Sequence, residues 1–184
     1  MAAGDLTTLA NVKGWLRLQS DADDVLLARL VTAYSAYVQS WLNRRIAITA
    51  YVETRDGLGR PGMMVANAPL VSIASVVVDG FSIPPSPAVG QPGFYFDERT
   101  IYLLGYGFSR GRANVRLAYM AGYASTPPEI EQAVIELVGL RYREIDRIGF
   151  SSKSLAGETV SFIVKDFPDS VQTILNNYRK VVPL

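Results

Sequence analysis

The spacing of apolar residues changes twice along this chain, near residues 46 and 125, and each change marks a different kind of structure. Up to residue 43 the apolar positions recur every three to four residues, the period of a helix with one buried face. Leu9, Val12, Trp15 and Leu16 outline a short helix that Thr7 or Thr8 can cap with a side-chain oxygen. After a break at Gln19-Ser20 comes a longer stripe of Leu26, Leu27, Leu30, Val31, Tyr34, Tyr37, Val38, Trp41 and Leu42. Ser20 or Asp21 is its expected cap. Asp23 and Asp24 suit the positive end of that helix, and Asn43-Arg44-Arg45 suits the negative end.

From residue 46 to residue 124 the period shortens to two and turn residues become dense. IAITAYVETRDG and LVSIASVVVDG alternate like strands and stop at Asp56-Gly57 and Asp79-Gly80. IPPSPAVGQPG is a loop, because proline cannot donate to a strand ladder. FYFDE, TIYLLG and ANVRLAYMAG supply further short strands, and the region as a whole predicts a small antiparallel β-domain.

The third region opens with Thr126-Pro127-Pro128-Glu129, which fits a capping box with threonine at the cap and proline at the first helical position. Ile130, Ala133, Val134, Leu137, Val138 and Tyr142 then form a helical stripe running towards Arg147. GFSSKSLAGE, residues 149–158, predicts a mobile Ser/Gly-rich linker, and TVSFIVK an extended segment. Pro168 opens a last helix with Val171, Ile174, Leu175 and Tyr178 on one face. The expected fold class is therefore α+β. A helical bundle body of about four helices carries an inserted antiparallel β-domain. The divisions fall at 1–45, 46–124 and 125–184, the last forming one structural unit with the first. Leu30, Val31, Val38, Val134, Leu137 and Ile174 are the expected helical core.

Composition narrows what such a fold can do. Of 184 residues, 49% are hydrophobic, enough for a folded core, and 18 Lys+Arg nearly balance 17 Asp+Glu. A net charge of +1 is not the basic field of a sequence-independent DNA binder. There is no apolar run long enough to span a membrane, and the N-terminal residues do not read as a secretory signal, so a soluble intracellular protein is expected. The chain contains no histidine and no cysteine. Ser-His-Asp triads, thiolate nucleophiles, disulfides and His- or Cys-ligated metals are thereby excluded. Asp and Glu residues do not cluster as an acid/base pair, so no enzyme activity and no metal or nucleotide cofactor is expected.

Few stretches carry candidate chemistry. GYGFSRGR resembles a phosphate-cradling loop, but the segment after it reads as a strand rather than a helix, so it predicts a turn. Asp21, Asp23 and Asp24 lack the glycine and glutamate that a calcium loop needs. Arg99, Arg110, Arg112 and Arg116 follow one another with no acid after Glu98, and are candidates for contact with phosphates or a partner's carboxylates. A solvated hairpin edge, where charges discourage strand-to-strand aggregation, is the simpler explanation. Trp15, Tyr34, Tyr37 and Trp41 fit either a core or a subunit contact. TVSFIV fits either an edge strand of the β-domain or an arm pairing with a neighbouring subunit, with Val160, Phe162 and Val164 as its apolar contacts.

Three stretches, LTTLANVKGWLRLQSDADDVLLARLVTAYSAYVQSWLNR, ANVRLAYMAGYASTPPEIEQAVIELVGLRYRE and SLAGETVSFIVKDFPDSVQTILNNYR, occur in an order that resembles the head–tail connector (adaptor) proteins of tailed bacteriophages and gene transfer agents. The resemblance spans nearly the whole chain and ends at Tyr178-Arg179. It implies a structural protein of the virion neck without enzymatic activity, assembled first in the host cytoplasm. It implies a ring, generally dodecameric, between the portal and the next neck protein, a stopper or tail-completion protein. Double-stranded DNA would pass non-specifically through the ring's channel. The C-terminal region, with Tyr178 and Arg179, would lie towards the portal or a neighbouring subunit. A tail-completion or stopper protein of the same neck is the alternative, and a carboxylate-dependent hydrolase a more distant one.

Overall fold

The structure is a computed structural model and describes residues 2, 4–145, 152–155, 158–161 and 167–180. The fold is α+β, and contacts divide the chain into two units, one built from both ends and one from the middle around residues 44–125.

In the first unit, helix α1 (Leu9–Leu16) is capped by Thr8, whose hydroxyl accepts from the Asn11 N–H at 3.1 Å. Helix α2 (Asp24–Leu42) starts later than its sequence suggests, with Asp23 rather than Ser20 or Asp21 at the cap. A tight turn, in which the Asp24 N–H donates to the Asp21 carbonyl, takes up the preceding residues. The Asp21 and Asp24 carboxylates grip Lys13 at 2.5 and 2.7 Å. Asp23 accepts the Tyr142 hydroxyl at 2.6 Å. Lys13 thus holds the three aspartates' neighbourhood together as a helix start.

Helix α3 (Pro128–Arg143) is the element against which α1, α2 and α4 (Asp169–Asn176) all pack. Its start departs from the expected capping box. Pro128 forces the residue before it into an extended conformation, and Pro127 accordingly sits at φ −55, ψ 133. The cap moves to Pro127, which has no side-chain oxygen to offer, and Thr126 is left outside. The first-turn acids are used differently. Glu131 accepts from Thr7 Oγ1 at 3.0 Å and Asn11 Nδ2 at 2.6 Å, fastening α1 to α3. Burial on α3 covers Ile130, Ala133, Val134, Ile135, Leu137, Val138 and Gly139. Of the expected helical core, Val31, Val38, Val134 and Leu137 are buried, whereas Leu30 and Ile174 are only half-buried. Helix α3 ends at Arg143, short of Arg147, which lies outside the described residues.

The stretch expected as a linker contains a strand. Ser152–Leu155 pairs antiparallel with Glu158–Ser161, and the two form a sheet of their own. Hydrogen bonding to a facing strand outweighs the weak strand preference of serine and lysine here. Thr159–Ser161 is thus extended, as expected, but its partner lies in its own chain and in neither sheet of the β-unit.

The middle unit has two antiparallel sheets. The larger is ordered β1 (Thr49–Gly57), β7 (Gly111–Ala121), β3 (Leu70–Val78), β4 (Phe81–Ile83). The smaller is ordered β2 (Gly62–Met64), β6 (Thr100–Leu104), β5 (Gly93–Phe96). One core draws Val76, Val115, Leu117 and Tyr119 from the first sheet and Phe94, Ile101 and Leu103 from the second. The three-residue strands β2 and β4 are too short to show a period and were not expected. Asp79-Gly80 turns β3 into β4 with both residues at positive φ (51 and 84), the hairpin geometry that Asp-Gly favours. Within the core, the buried Tyr119 hydroxyl donates to Glu53 and accepts from the backbone and side-chain nitrogens of Asn67, both at 3.3 Å. Glu53 also accepts the Ala66 N–H at 3.2 Å, so segment 66–67 is hydrogen-bonded into the sandwich.

Two expectations test this packing. Leu137→Ala should lower unfolding free energy by about 2–5 kcal/mol in chemical denaturation, since it opens a cavity in the centre of the helical unit. Tyr119→Phe should cost about 1–3 kcal/mol by leaving buried partners unsatisfied. Burial, then the Glu53 hydrogen bond, hold the Tyr119 hydroxyl above the ordinary tyrosine value of 10.0. The fold favours the neutral phenol, so that contribution is complete below this value and is lost as pH rises beyond it. The difference in stability between the two proteins should accordingly shrink above about pH 10, which denaturation across a pH series would detect.

Candidate interaction surfaces

The four arginines that the sequence sets close together are placed at three separate sites. Arg99 lies in the turn from β5 to β6, where Asp97 accepts the backbone N–H of Arg99 at 2.8 Å and of Thr100 at 2.7 Å. Those two bonds, in that order, hold the Asp97 carboxyl below its ordinary value. The Arg99 carbonyl accepts from Val65, and the adjacent Glu98 carbonyl from Leu70, which pairs with Ala121. Arg99 is therefore at the end of the β-unit where β7 finishes. Arg116 stands mid-strand on β7, exposed, between Thr54 on one side and Val77 on the other. Arg110 and Arg112 lie at the beginning of β7, about 30 Å of strand from its far end. GYGFSRGR is the turn that leads into this strand, with no helix following it.

Three turns converge at the beginning of β7 and are tied by side chains. Asn114 is the centre. Its Oδ1 accepts the Gly57 N–H at 2.8 Å, and its Nδ2 donates to Asp79 at 2.9 Å and to the Ser109 carbonyl at 3.0 Å. Only glycine fits at position 57, since a Cβ there would stand 1.8 Å from the Ser109 carbonyl oxygen. Asp79 also accepts the Ser109 hydroxyl, and Ser109 followed by Asn114 hold its carboxyl below the ordinary range. Asp56 accepts the Ala113 N–H at 2.6 Å, and the Gly59 N–H donates to the Phe108 carbonyl at 2.7 Å. Among the described residues both aspartates of this tip are thus engaged with turn donors, not with cations.

The same convergence brings in residues that the sequence did not single out. Arg60 joins Arg110 and Arg112, and all three are exposed. Among the described residues none of the three guanidinium groups makes a hydrogen bond or ion pair. Leu58, Phe81 and Tyr106 are also at this end, 52%, 75% and 44% exposed. A signal for two of them is present in the chain. Asp56-Gly57-Leu58 and Asp79-Gly80-Phe81 each place a large apolar residue directly after a tight turn, where little neighbouring structure is available to cover it.

The candidate arm residues fare differently. Val160 belongs to the strand Glu158–Ser161, while Phe162 and Val164 lie outside the described residues. Tyr178 and Arg179 both make contacts inside the helical unit. The Tyr178 hydroxyl donates to Glu129 at 2.6 Å, and the Arg179 guanidinium lies 5.4 Å from the centre of the Trp41 ring. Phe167 stacks on Tyr37 at 5.0 Å and tilts against Trp41 at 5.7 Å. Part of the aromatic stripe of α2 is therefore covered by the chain's own C-terminal segment, and Trp15 is left 52% exposed. Among the described residues no group of acidic side chains is arranged to hold a metal ion.

No curated protein matches the sequence. Among solved structures, a chain of "Neck of empty GTA particle computed with C6 symmetry" is 19% identical with a TM-score of 0.57, covering 100% of this chain and 94% of that one. A chain of "Virion of native gene transfer agent (GTA) particle" is 20% identical with a TM-score of 0.56 and the same two coverages. At such identities the likeness is one of fold. The sequence pattern of the head completion protein family matches residues 5–181. The resemblance read from the order of the helices and strands is upheld at the level of family: the chain belongs to the head completion protein family.

Proposed function

We propose that the protein is a structural subunit of a virion neck. In this reading several copies form a ring, dodecameric as in the proteins its sequence resembles. The ring joins the portal of the capsid to a stopper, tail-completion protein or tail, and DNA passes through its channel. The protein would assemble in the host cytoplasm and remain in the virion. The observation that carries the reading is the family match from residue 5 to residue 181, in a chain whose whole length shares its fold with a chain from a gene transfer agent neck. A sequence without histidine or cysteine supports a role in assembly over one in catalysis.

Within that role, the exposed arginines Arg99, Arg110, Arg112 and Arg116 are proposed contacts with DNA or a partner. The hairpin that contains Val160, with Phe162 and Val164 beyond it, is proposed as the arm that meets a neighbouring subunit or the portal. A two-stranded hairpin has little stability of its own, so a neighbour would contribute much of what orders it.

Native mass spectrometry after size exclusion, with and without the portal protein, tests the main proposal. A complex carrying a fixed number of copies on the portal is expected, and two separately eluting proteins would overturn it. The arm has its own measurement. Amides of residues 152–155 and 158–161 should exchange faster in the isolated chain than in assembled necks, and equal rates would show that assembly does not involve the hairpin.

A further inference from the structure

We propose that the tip of the β-unit, formed by the turns at residues 57–60, 79–81 and 105–112, is a docking surface for an acidic protein partner and not for DNA. The inference rests on the neck reading above and assigns one surface within it. Three observations lead to it. The tip exposes Leu58, Phe81 and Tyr106 to 52%, 75% and 44%, which is much apolar area for one end of a small domain. Beside them stand Arg60, Arg110 and Arg112, whose guanidinium donors have no partner among the described residues. The turns themselves are fastened through Asn114, Asp79 and Asp56, so the surface is already ordered before anything binds.

The mixture decides the partner's chemistry. A phosphate backbone draws on cations, and apolar side chains laid against it gain nothing from the contact. A protein surface uses both. Arginine, tyrosine and phenylalanine are enriched in the centres of protein interfaces, where an apolar anchor enters a pocket and a guanidinium fork takes a carboxylate. Asp56 and Asp79 reduce the net charge of the tip, but they are bound to turn donors, so the arginines keep their hydrogen-bonding capacity for the partner. The complement is a protein with aspartate or glutamate residues around an apolar depression.

The test uses particles carrying the full-length chain with a photo-reactive benzoylphenylalanine in place of Phe81. After irradiation, mass spectrometry should find it joined to a peptide of a different virion protein, one that contains Asp or Glu. In a second set of particles, Arg110→Glu with Arg112→Glu should reduce that product about tenfold, while Arg29→Glu at an exposed position of α2 leaves it unchanged. Circular dichroism of the purified variants confirms that they fold. Cross-linking to DNA, cross-linking to another copy of the same chain, or no product although the chain is present in the particle would each overturn the docking assignment and leave the neck reading standing. Absence of the unmodified chain from particles would overturn both.

Discussion

Strand β7 is hydrogen-bonded along both edges, to β1 on one side and to β3 on the other. The rest of the β-unit is arranged by that double pairing. Its inward residues Val115, Leu117 and Tyr119 supply the core, and Tyr119 carries the polar connection through Glu53 to Asn67. Because both neighbours must match it, register errors would turn apolar residues outward on three strands at once. Two of the exposed sites lie at its ends, and Arg116 lies between them. At one, Asn114 gathers three turns; at the other, the β5–β6 turn presents Arg99. A long strand with fixed neighbours is thus what keeps these two sites apart.

The helical part was legible because a single physical rule, burial of one face, governs it. The stripes on α2 and α3 correspond to buried Leu27, Val31, Val38, Leu42, Ile130, Val134 and Leu137. Helix starts were less legible, since they depend on which side chains are already committed. Asp23 bonds Tyr142 from far along the chain, and the second of two prolines excludes its predecessor from the helix. The first fact cannot be seen locally; the second can, and it overrides the apparent box at Thr126.

The surface was the least legible part. Four arginines within eighteen positions of sequence suggest one patch, but a strand of eleven residues carries its ends far apart. Conversely, Arg60 and Arg110 are distant in sequence and close in the fold, because the Arg60–Phe108 bridge brings their turns together. Pairing partners therefore matter more than spacing for any site built on turns. The family match spans residues 5–181 and places the chain among head completion proteins.

The helical unit is assembled from the two ends of the chain, with the whole β-unit between α2 and α3. Joining those helices directly would mean closing a loop of about eighty residues, at an entropic cost that grows with the logarithm of its length. The β-unit removes most of that cost. Its first and last residues already meet, through the bridge between Ala47 and Tyr123 and the hydrogen bond from the Tyr123 N–H to the Ile46 carbonyl at 2.8 Å. Once the insertion is folded, α2 and α3 are tethered by a few residues, a shortening of about four doublings or roughly 2.5 kcal/mol. The coupling is mutual: the folded β-unit acts as a clasp that makes α2 and α3 near neighbours along the chain, and helices already packed on one another bring the two ends of the β-unit together.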